Sequence, residues 1–302
     1  MNEIVAHNLA LAAELITLDD AFEAAGLRLV AWKGPVQSHL LHGNFTQRRF
    51  HDLDLLLRPA DLAKAKAVLE AHGYDSGLHL TPAQLRAFLR HHHEQAFLRD
   101  RDYVVELHWQ IVQRQFAVDY PIEGILERVQ RVSFQGREVL HPGPEDTLVL
   151  AALHAAKHAW LHADLLLDLG RAVGLVQDWG FAWQLAESAH VQRYLSCGLL
   201  LSELLGYVQL PDAIKQRALR DPAAATLAAR LRANTGSAIP LSTIRGRERW
   251  SDRARMFVRT LVTPTINDWS AQEISDRWFF LYYFTRQGRL LRRVVSSVAR
   301  TT

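Results

Sequence analysis

The sequence predicts an α+β protein: a small mixed sheet flanked by helices, followed by an all-α C-terminal region. Between residues 27 and 140, short segments rich in β-branched and aromatic residues alternate with segments whose apolar residues have helical spacing. After His141-Pro142-Gly143-Pro144, almost every segment has helical spacing. We therefore predict two domains, residues 1–142 and residues 143–302.

The first domain is predicted to begin with a helix over residues 2–26, whose apolar positions form one stripe that ends at Gly26. Gly and Pro residues separate the segments that follow. Strands are predicted over residues 27–32, 52–57, 94–98, 103–109, 131–134 and 137–140, and helices over residues 35–41, 62–72 and 84–90.

The second domain is predicted to be helical throughout, with a loop over residues 236–246. Its helices are predicted over residues 145–160, 161–176, 179–190, 191–205, 211–219, 221–234, 247–261 and 278–298.

Composition excludes several classes of protein. The chain has 302 residues, 49% of them hydrophobic, and a formal charge of +3. It has no uninterrupted run of the roughly eighteen apolar residues that a membrane span needs. A single cysteine excludes an intrachain disulfide and a cysteine-based zinc site. The N-terminus lacks the basic and then apolar pattern of a signal peptide. We expect a cytoplasmic protein without a membrane partner.

Two aspartates at the start of an apolar strand are the most informative feature. Asp52 and Asp54 are two residues apart, so on a strand both side chains project from the same face. Two desolvated carboxylates repel each other, and a divalent cation between them removes that repulsion. The pattern therefore suggests a Mg²⁺ site that handles nucleotide phosphates. The alternative is a strand that begins with solvated polar residues.

Glu106 is the candidate third carboxylate. On the predicted strand it shares a face with Val104 and His108, while Val105 and Trp109 point the other way. Burying a glutamate in such a strand requires a partner, and a metal shared with the aspartates would be one. The alternative is an edge strand with Glu106 in solvent.

Basic residues precede the aspartates at two places. Lys33 and Gly34 lie at a predicted junction between a strand and a helix, where backbone N–H groups attract phosphate oxygens. Arg48 and Arg49 lead directly into the aspartate strand and are candidates to bind a triphosphate. The alternative for these arginines is a salt bridge to the same aspartates.

A polar face is predicted on the first helix of the second domain. His154 and His158 are four residues apart, a spacing that can bind a metal, but Ala155 stands where zinc proteases have a glutamate. We prefer a polar face, including Lys157, that points into a cleft. The sequence contains neither a Gly-x-Ser-x-Gly motif nor a P-loop.

Taken together, these motifs resemble the uncharacterised nucleotidyltransferase family of the DNA polymerase β superfamily. The resemblance extends over about residues 30–190. It rests on Trp32-Lys33-Gly34, on Arg48 with Asp52-Leu53-Asp54-Leu55-Leu56, on Glu106-Leu107-His108-Trp109, and on Pro144-Glu145-Asp146-Thr147-Leu148 running on to His154, Lys157-His158 and Trp160.

The resemblance implies a nucleotidyltransferase sheet flanked by helices, with Mg²⁺ held by Asp52, Asp54 and Glu106 and an NTP, ATP among them, as the donor. Many superfamily members bind the triphosphate with a Gly-Ser pair; here Lys33-Gly34-Pro35 takes that place without the serine. Family members occur with gene sets for peptide natural products, lasso peptides among them, which implies a tailoring role.

The main hypothesis is transfer of a nucleoside monophosphate to a small-molecule, peptide or protein acceptor. Two metal ions are expected, with Glu106 completing the second site and helping to deprotonate the acceptor. The phosphates would be bound by Lys33, Gly34, Arg48 and Arg49, and the acceptor or base side would be formed by His108, Lys157 and His158.

Two alternatives remain. One is a regulatory protein that binds nucleotide without turnover. The other is a nucleic-acid-binding protein that uses the twelve arginines between Ile244 and Arg300 together with the aromatic residues of Trp278–Phe284. Because such aromatic residues more often pack between helices, we do not expect nucleic acid to be the partner.

Overall fold

The computed structural model describes residues 3–46, 48, 50–100, 103–234 and 242–289. Its helices are α1 (Glu3–Ala24), α2 (Gly34–His42), α3 (Leu62–Ala71), α4 (Pro82–His91), α5 (Ile122–Glu127), α6 (Pro144–Lys157), α7 (Ala163–Ala172), α8 (Trp179–Ser188), α9 (Gln192–Leu204), α10 (Asp212–Leu219), α11 (Pro222–Ala233), α12 (Ser242–Arg245), α13 (Trp250–Val262) and α14 (Ile266–Ala271). Its strands are β1 (Val30–Ala31), β2 (Leu53–Leu56), β3 (Glu94–Arg99), β4 (Tyr103–His108), β5 (Gln130–Phe134) and β6 (Arg137–His141).

The chain divides into two compact units, and each is described by itself. The first consists of Met1–Gly77, Glu94–Ile111 and Asp119–Glu248. The second consists of Leu78–His93, Val112–Val118 and Arg249–Thr302. All six strands therefore belong to the first unit, together with the helices from α5 to α12.

The strands of the first unit form one mixed sheet in the order β3-β4-β2-β1-β6-β5. The central strand β2 is parallel to β4 and antiparallel to β1, whereas β1 is parallel to β6. The outer strands pair as antiparallel hairpins, β3 with β4 and β5 with β6. Parallel and antiparallel pairs in one sheet are what the α+β prediction requires.

One face of this sheet belongs to the main hydrophobic core. Leu53 and Leu55 of β2 are buried in the same cluster as Leu15 of α1 and Leu69 of α3. Side chains alternate between the faces of a strand, so Asp54 between those two leucines projects from the opposite face. The core therefore fixes which face of the sheet carries the carboxylates.

A helical part follows β6 within the first unit, beginning with α6. The first turn of α6 is held by Asp146, which is buried and accepts hydrogen bonds from Tyr120 Oη at 2.6 Å and from Arg128 Nε and Nη2, both at 2.8 Å. Buried apolar residues along α6 pack against α7, α8 and α9. This packing sets the direction in which the end of α6 presents His154 and Lys157.

The second unit is helical in its described residues. α4 begins with a capping box in which the Thr81 hydroxyl accepts from Gln84 N, two residues before the predicted start of this helix at residue 84. Near the C-terminus, Asp268 is bound by Arg286 Nη1 at 2.9 Å and by Arg289 Nη2 at 2.6 Å. These two C-terminal arginines therefore form ion pairs inside their own unit.

The α+β fold class predicted from the sequence is confirmed, while several element boundaries differ. β1 is shorter than the predicted strand because Leu27 N donates to Phe22 O and so closes α1. The predicted helix over residues 278–298 begins as a 3₁₀ helix, Asp276–Leu281, and residues 282–289 are helical, whereas residues 290–298 lie outside the described residues. α5, α12 and α14 are absent from the predicted elements, and α12 lies within the segment predicted as a loop over residues 236–246. The boundary at residue 142 stays a prediction, although β6 gives way to α6 there.

None of the helices in the described part of the chain is long and apolar enough to cross a membrane.

Candidate active site

The sheet register brings two of the three predicted carboxylates side by side. Asp54 of β2 pairs with Glu106 of β4 in the parallel register. Residues paired in this way project from the same face of a sheet. Asp52 comes two residues before Asp54, immediately ahead of β2. The three carboxylates therefore lie at one place on the face opposite the core.

Asp54 is buried, with 2% of its surface exposed, and two cationic side chains contact it. Lys33 Nζ donates to Asp54 Oδ1 at 2.7 Å, and His108 Nε2 lies 2.8 Å from the same oxygen. His108 Nε2 also lies 3.4 Å from Glu106 Oε2. The fully buried His108 thus lies beneath the carboxylates and links two of them.

The two aspartates differ in their ionisation. Burial raises the pKa of Asp52, and the neighbouring Asp54 and Glu106 raise it further, to about 7. Burial also disfavours the charged form of Asp54, but Lys33 and the hydrogen bond from His108 outweigh it and hold the pKa of Asp54 well below its usual range. At neutral pH Asp54 is ionised, whereas Asp52 is near its midpoint.

Lys33 and His108 show the reciprocal effect. Burial opposes their charged forms, but the contact with Asp54 raises the pKa of Lys33. Burial is likewise outweighed at His108, where hydrogen bonds to Asp54 and Glu106 raise the pKa. The contact with the buried aspartate therefore favours the protonated form of both side chains.

The carboxylates border a pocket of about 360 Å³ that is formed entirely by the first unit. This volume is within the range of about 300–1,000 Å³ that is usual for ligand pockets. Polar and charged side chains dominate its lining: Lys33, Gln37, Arg48, His51, Asp52, Asp54, Glu94, Glu106, His154, Lys157, His158 and Asp168, with Gly34 and Phe50 completing it.

The end of α6 provides the wall formed by Lys157 and the histidines. Lys157 Nζ lies 3.9 Å from Glu94 Oε2, and burial lowers the pKa of Lys157. The rings of His154 and His158 are 4.8 Å apart, and burial together with Lys157 lowers the pKa of His158 to about 4. Burial also lowers the pKa of His154 well below its usual value. At neutral pH this wall has neutral imidazoles beside the Lys157 side chain.

The Lys33-Gly34 junction is a sharp turn from β1 into α2. Gly34 has a φ of +65°, the left-handed conformation that favours glycine. A Cβ at this position would lie 3.2 Å from the carbonyl oxygen of Asp52. Pro35 then occupies the first turn of α2, as its fixed φ allows. Glycine is therefore required for the start of α2 to approach the aspartate segment.

Arg48 borders the pocket, but its salt bridge is to an aspartate other than Asp52 and Asp54, the alternative partners predicted from the sequence. Its Nη1 contacts Asp168 Oδ2 of α7. His42 Nε2 at the end of α2 lies 2.9 Å from the other oxygen of Asp168. Arg49, the other predicted phosphate ligand, lies outside the described residues.

Sequence reasoning missed several residues that border or support this pocket. Glu94 of β3 lies opposite His108 in the antiparallel register, and its Oε2 is 3.4 Å from His108 Nδ1. Trp32 packs edge-on against His108, with ring centres 5.3 Å apart. Glu94 could have been found from its place at the start of a hairpin strand, whereas the approach of Asp168 depends on how α7 packs.

The carboxylates fit a divalent cation. Lys33 and His108 already offset the charge of Asp54, but burial, together with the neighbouring Asp54 and Glu106, still raises the pKa of Asp52. Ligand atoms of Asp54, Glu106 and His108 lie within 4.8 Å of one another. Carboxylate oxygens are the ligands that Mg²⁺ prefers. Asp54 and Glu106 could thus hold a metal, whereas Asp52 is outside that group and borders the same pocket as a proposed further ligand.

Comparison with protein families gives one match. Residues 1–206 match the profile of a family described as uncharacterised nucleotidyltransferase. The matched segment contains every element that borders the pocket. No curated protein matches the chain.

The matches among solved structures include an antibiotic-resistance factor and a lincosamide antibiotic adenylyltransferase. The solution structure of the antibiotic-resistance factor ANT(2'')-Ia is 12% identical, with a TM-score of 0.44, and the match covers 60% of this chain and 91% of that one. A crystal structure of ANT(2'')-Ia in complex with adenylyl-2''-tobramycin is 13% identical, with a TM-score of 0.43 and coverages of 59% and 95%. The lincomycin-bound lincosamide adenylyltransferase LnuA is 17% identical, with a TM-score of 0.37 and coverages of 54% and 97%.

Proposed function

Because the chain belongs to the nucleotidyltransferase family whose profile it matches over residues 1–206, we propose that it transfers a nucleoside monophosphate from an NTP to the hydroxyl group of an acceptor in a Mg²⁺-dependent reaction. The acceptor oxygen forms a bond to the α-phosphorus, the bond from that phosphorus to the bridging oxygen breaks, and pyrophosphate leaves. The acceptor hydroxyl loses its proton.

The observation that carries the proposal is the pairing of Asp54 with Glu106, next to Asp52, in a pocket that also contains Lys33 and Arg48. Carboxylates on one side and cations on the other are what nucleotidyl transfer needs. Mg²⁺ held by Asp52, Asp54 and Glu106 would neutralise charge on the triphosphate and on the acceptor oxygen.

The cationic side of the pocket is proposed to bind the phosphates. Lys33 and Arg48 supply positive charge, and Gly34 brings the positive end of the α2 dipole to the pocket. Arg49 remains a proposed phosphate ligand by its place in the sequence.

The proposed roles on the other side divide between two groups. Lys157 and His158 would form the acceptor or base side. His108, which is fully buried, would orient Asp54 and Glu106 rather than meet the acceptor. Glu106 would take the proton from the acceptor hydroxyl. A tailoring role on a peptide natural product would place the acceptor hydroxyl on that peptide.

The test is pyrophosphate release from each of the four NTPs in the presence of Mg²⁺ and a panel of hydroxylated acceptors. We expect release with one NTP and its loss in Asp52→Ala and Asp54→Ala, but not in Asp164→Asn, an exposed carboxylate of α7. Wild-type protein that binds neither an NTP nor a divalent ion would contradict the proposal. Tight NTP binding without release on any acceptor would favour the regulatory alternative.

A further inference from the structure

A buried carboxylate on the helical side of the first unit contacts two elements of the phosphate side. Asp168 of α7 has 3% of its side chain exposed. Arg48 Nη1 contacts one of its oxygens, and His42 Nε2 lies 2.9 Å from the other. His42 ends α2, whose first residue borders the pocket. One carboxylate thus ties both α2 and Arg48 to α7.

The backbone of Arg48 is fixed from the opposite side. Asn8 of α1, which is fully buried, donates from its Nδ2 to Arg48 O at 2.7 Å and to Phe45 O at 2.8 Å. The segment that leads into the aspartates is therefore held by α1 through its backbone, while α7 holds the guanidinium. A long side chain held in this way loses little further rotamer freedom when it binds a ligand.

The contact with Asp168 uses one nitrogen of the Arg48 guanidinium, Nη1, in the described part of the chain. Only Nη1 of its five N–H donors is directed to Asp168 in the bonds formed with the described part of the chain. Within that part, Arg48 Nε is buried and has no hydrogen-bond partner. Arg48 also borders the pocket beside Asp52 and Asp54. A planar guanidinium anchored at one nitrogen can present its other donors to phosphate oxygens.

We propose that Asp168 is a positioning residue that holds the Arg48 guanidinium in the orientation in which it binds the triphosphate of the NTP. The inference rests on the proposed function. It goes further by assigning the phosphate contact to an arginine that α7 aligns, so that the packing of the helical part sets the affinity for the donor.

The test measures the affinity for NTP analogues that carry a methylene bridge between the α- and β-phosphates, with Mg²⁺, and for the corresponding nucleosides. The analogue that wild type prefers is used for all variants. A hydrogen bond to a charged group typically contributes enough to change an affinity by about tenfold or more. We expect Asp168→Asn to weaken analogue binding about tenfold and Arg48→Ala about thirtyfold.

Two comparisons separate positioning from general stabilisation. In the Arg48→Ala background, Asp168→Asn should weaken analogue binding by less than about twofold, because its effect acts through Arg48. Nucleoside affinity should change by less than about twofold in every variant, because a nucleoside has no phosphate for Arg48 to bind. The matched control is Asp164→Asn, an exposed aspartate one turn earlier on the same helix, which should bind like wild type.

Asp168→Glu keeps the charge if the asparagine variant does not fold. It moves the carboxylate by one methylene and should weaken analogue binding several-fold while nucleoside affinity stays constant. Equal analogue affinity in wild type and a folded Asp168 variant would overturn this inference alone, as would losses that multiply in the double variant. Wild type that binds no NTP analogue would overturn the proposed function and this inference together.

Discussion

Replacing Asp52 with asparagine should stabilise the metal-free protein, although it removes a proposed metal ligand. The folded protein raises the pKa of Asp52 from 3.8 to about 7, because the group is buried beside Asp54 and Glu106. Asparagine has nearly the same shape and no charge. The variant therefore removes the cost of burying the Asp52 charge and its repulsion with Asp54 and Glu106, while leaving the bonds between Lys33, His108 and Asp54 intact.

The size and the pH dependence of this gain follow from linkage. A carboxyl whose folded pKa is raised binds a proton more tightly in the folded state, so stability falls as pH rises between the unfolded and folded pKa values. A change from 3.8 to about 7 corresponds to ~4 kcal/mol. With partial solvent screening we expect about 2–4 kcal/mol above pH 7, and little below pH 4.

Thermal unfolding between pH 4.5 and pH 9, with a chelator present, measures this difference. At roughly 1.5–2 °C per kcal/mol for a chain of this length, the melting temperature of Asp52→Asn should exceed that of wild type by about 3–8 °C above pH 7. Added Mg²⁺ should raise the melting temperature of wild type more than that of the variant. Equal stability of the two proteins at pH 8 would contradict this prediction, since neither burial nor the neighbouring carboxylates would then disfavour the charged form of Asp52.

Three further substitutions have opposite or separable effects. Asp54→Asn should destabilise the fold by about 3–5 kcal/mol, because Lys33 and His108 lose the buried carboxylate they contact. Urea unfolding measures this change, and a gain in stability like that expected for Asp52→Asn would contradict the prediction. Gly34→Ala should cost about 1–2 kcal/mol from its positive φ and should also weaken NTP binding, as calorimetry can show. Arg128→Ala should lower the free energy of unfolding by about 3 kcal/mol, because the buried Asp146 loses its ion pair. NTP affinity should stay unchanged; a lower affinity would show that the start of α6 affects the pocket.

Local pattern was enough to predict the aspartate strand and the face of Glu106. The alternation of leucine and aspartate around Asp54 assigns opposite faces without any knowledge of the neighbouring strands. The pairing of Asp54 with Glu106 agrees with this expectation. The order of the strands in the sheet could not be predicted from the sequence, because it depends on which apolar faces pack in three dimensions.

Contacts between segments distant in the sequence explain what the sequence reasoning missed. The alternative partners expected for Arg48 were the nearby aspartates, yet its salt bridge is to Asp168, 120 residues away, while its contact with a triphosphate stays a prediction. His108 was expected on the acceptor side, yet it lies fully buried between Asp54 and Glu106. Periodicity specifies the face of an element but not which residue of another element will meet it.

In the proposed reaction, the α-phosphorus of the donor NTP becomes bonded to an acceptor. It is tested most directly by incubating the protein with Mg²⁺, the preferred NTP and a fractionated extract of hydroxylated small molecules and peptides, with the label on either the α- or the γ-phosphorus. With wild type, the α-label should appear on one acceptor fraction, while the γ-label should leave as pyrophosphate. The Asp54→Ala variant should transfer neither label. Transfer of the γ-label to the acceptor would contradict the proposed reaction, because the protein would then be a kinase.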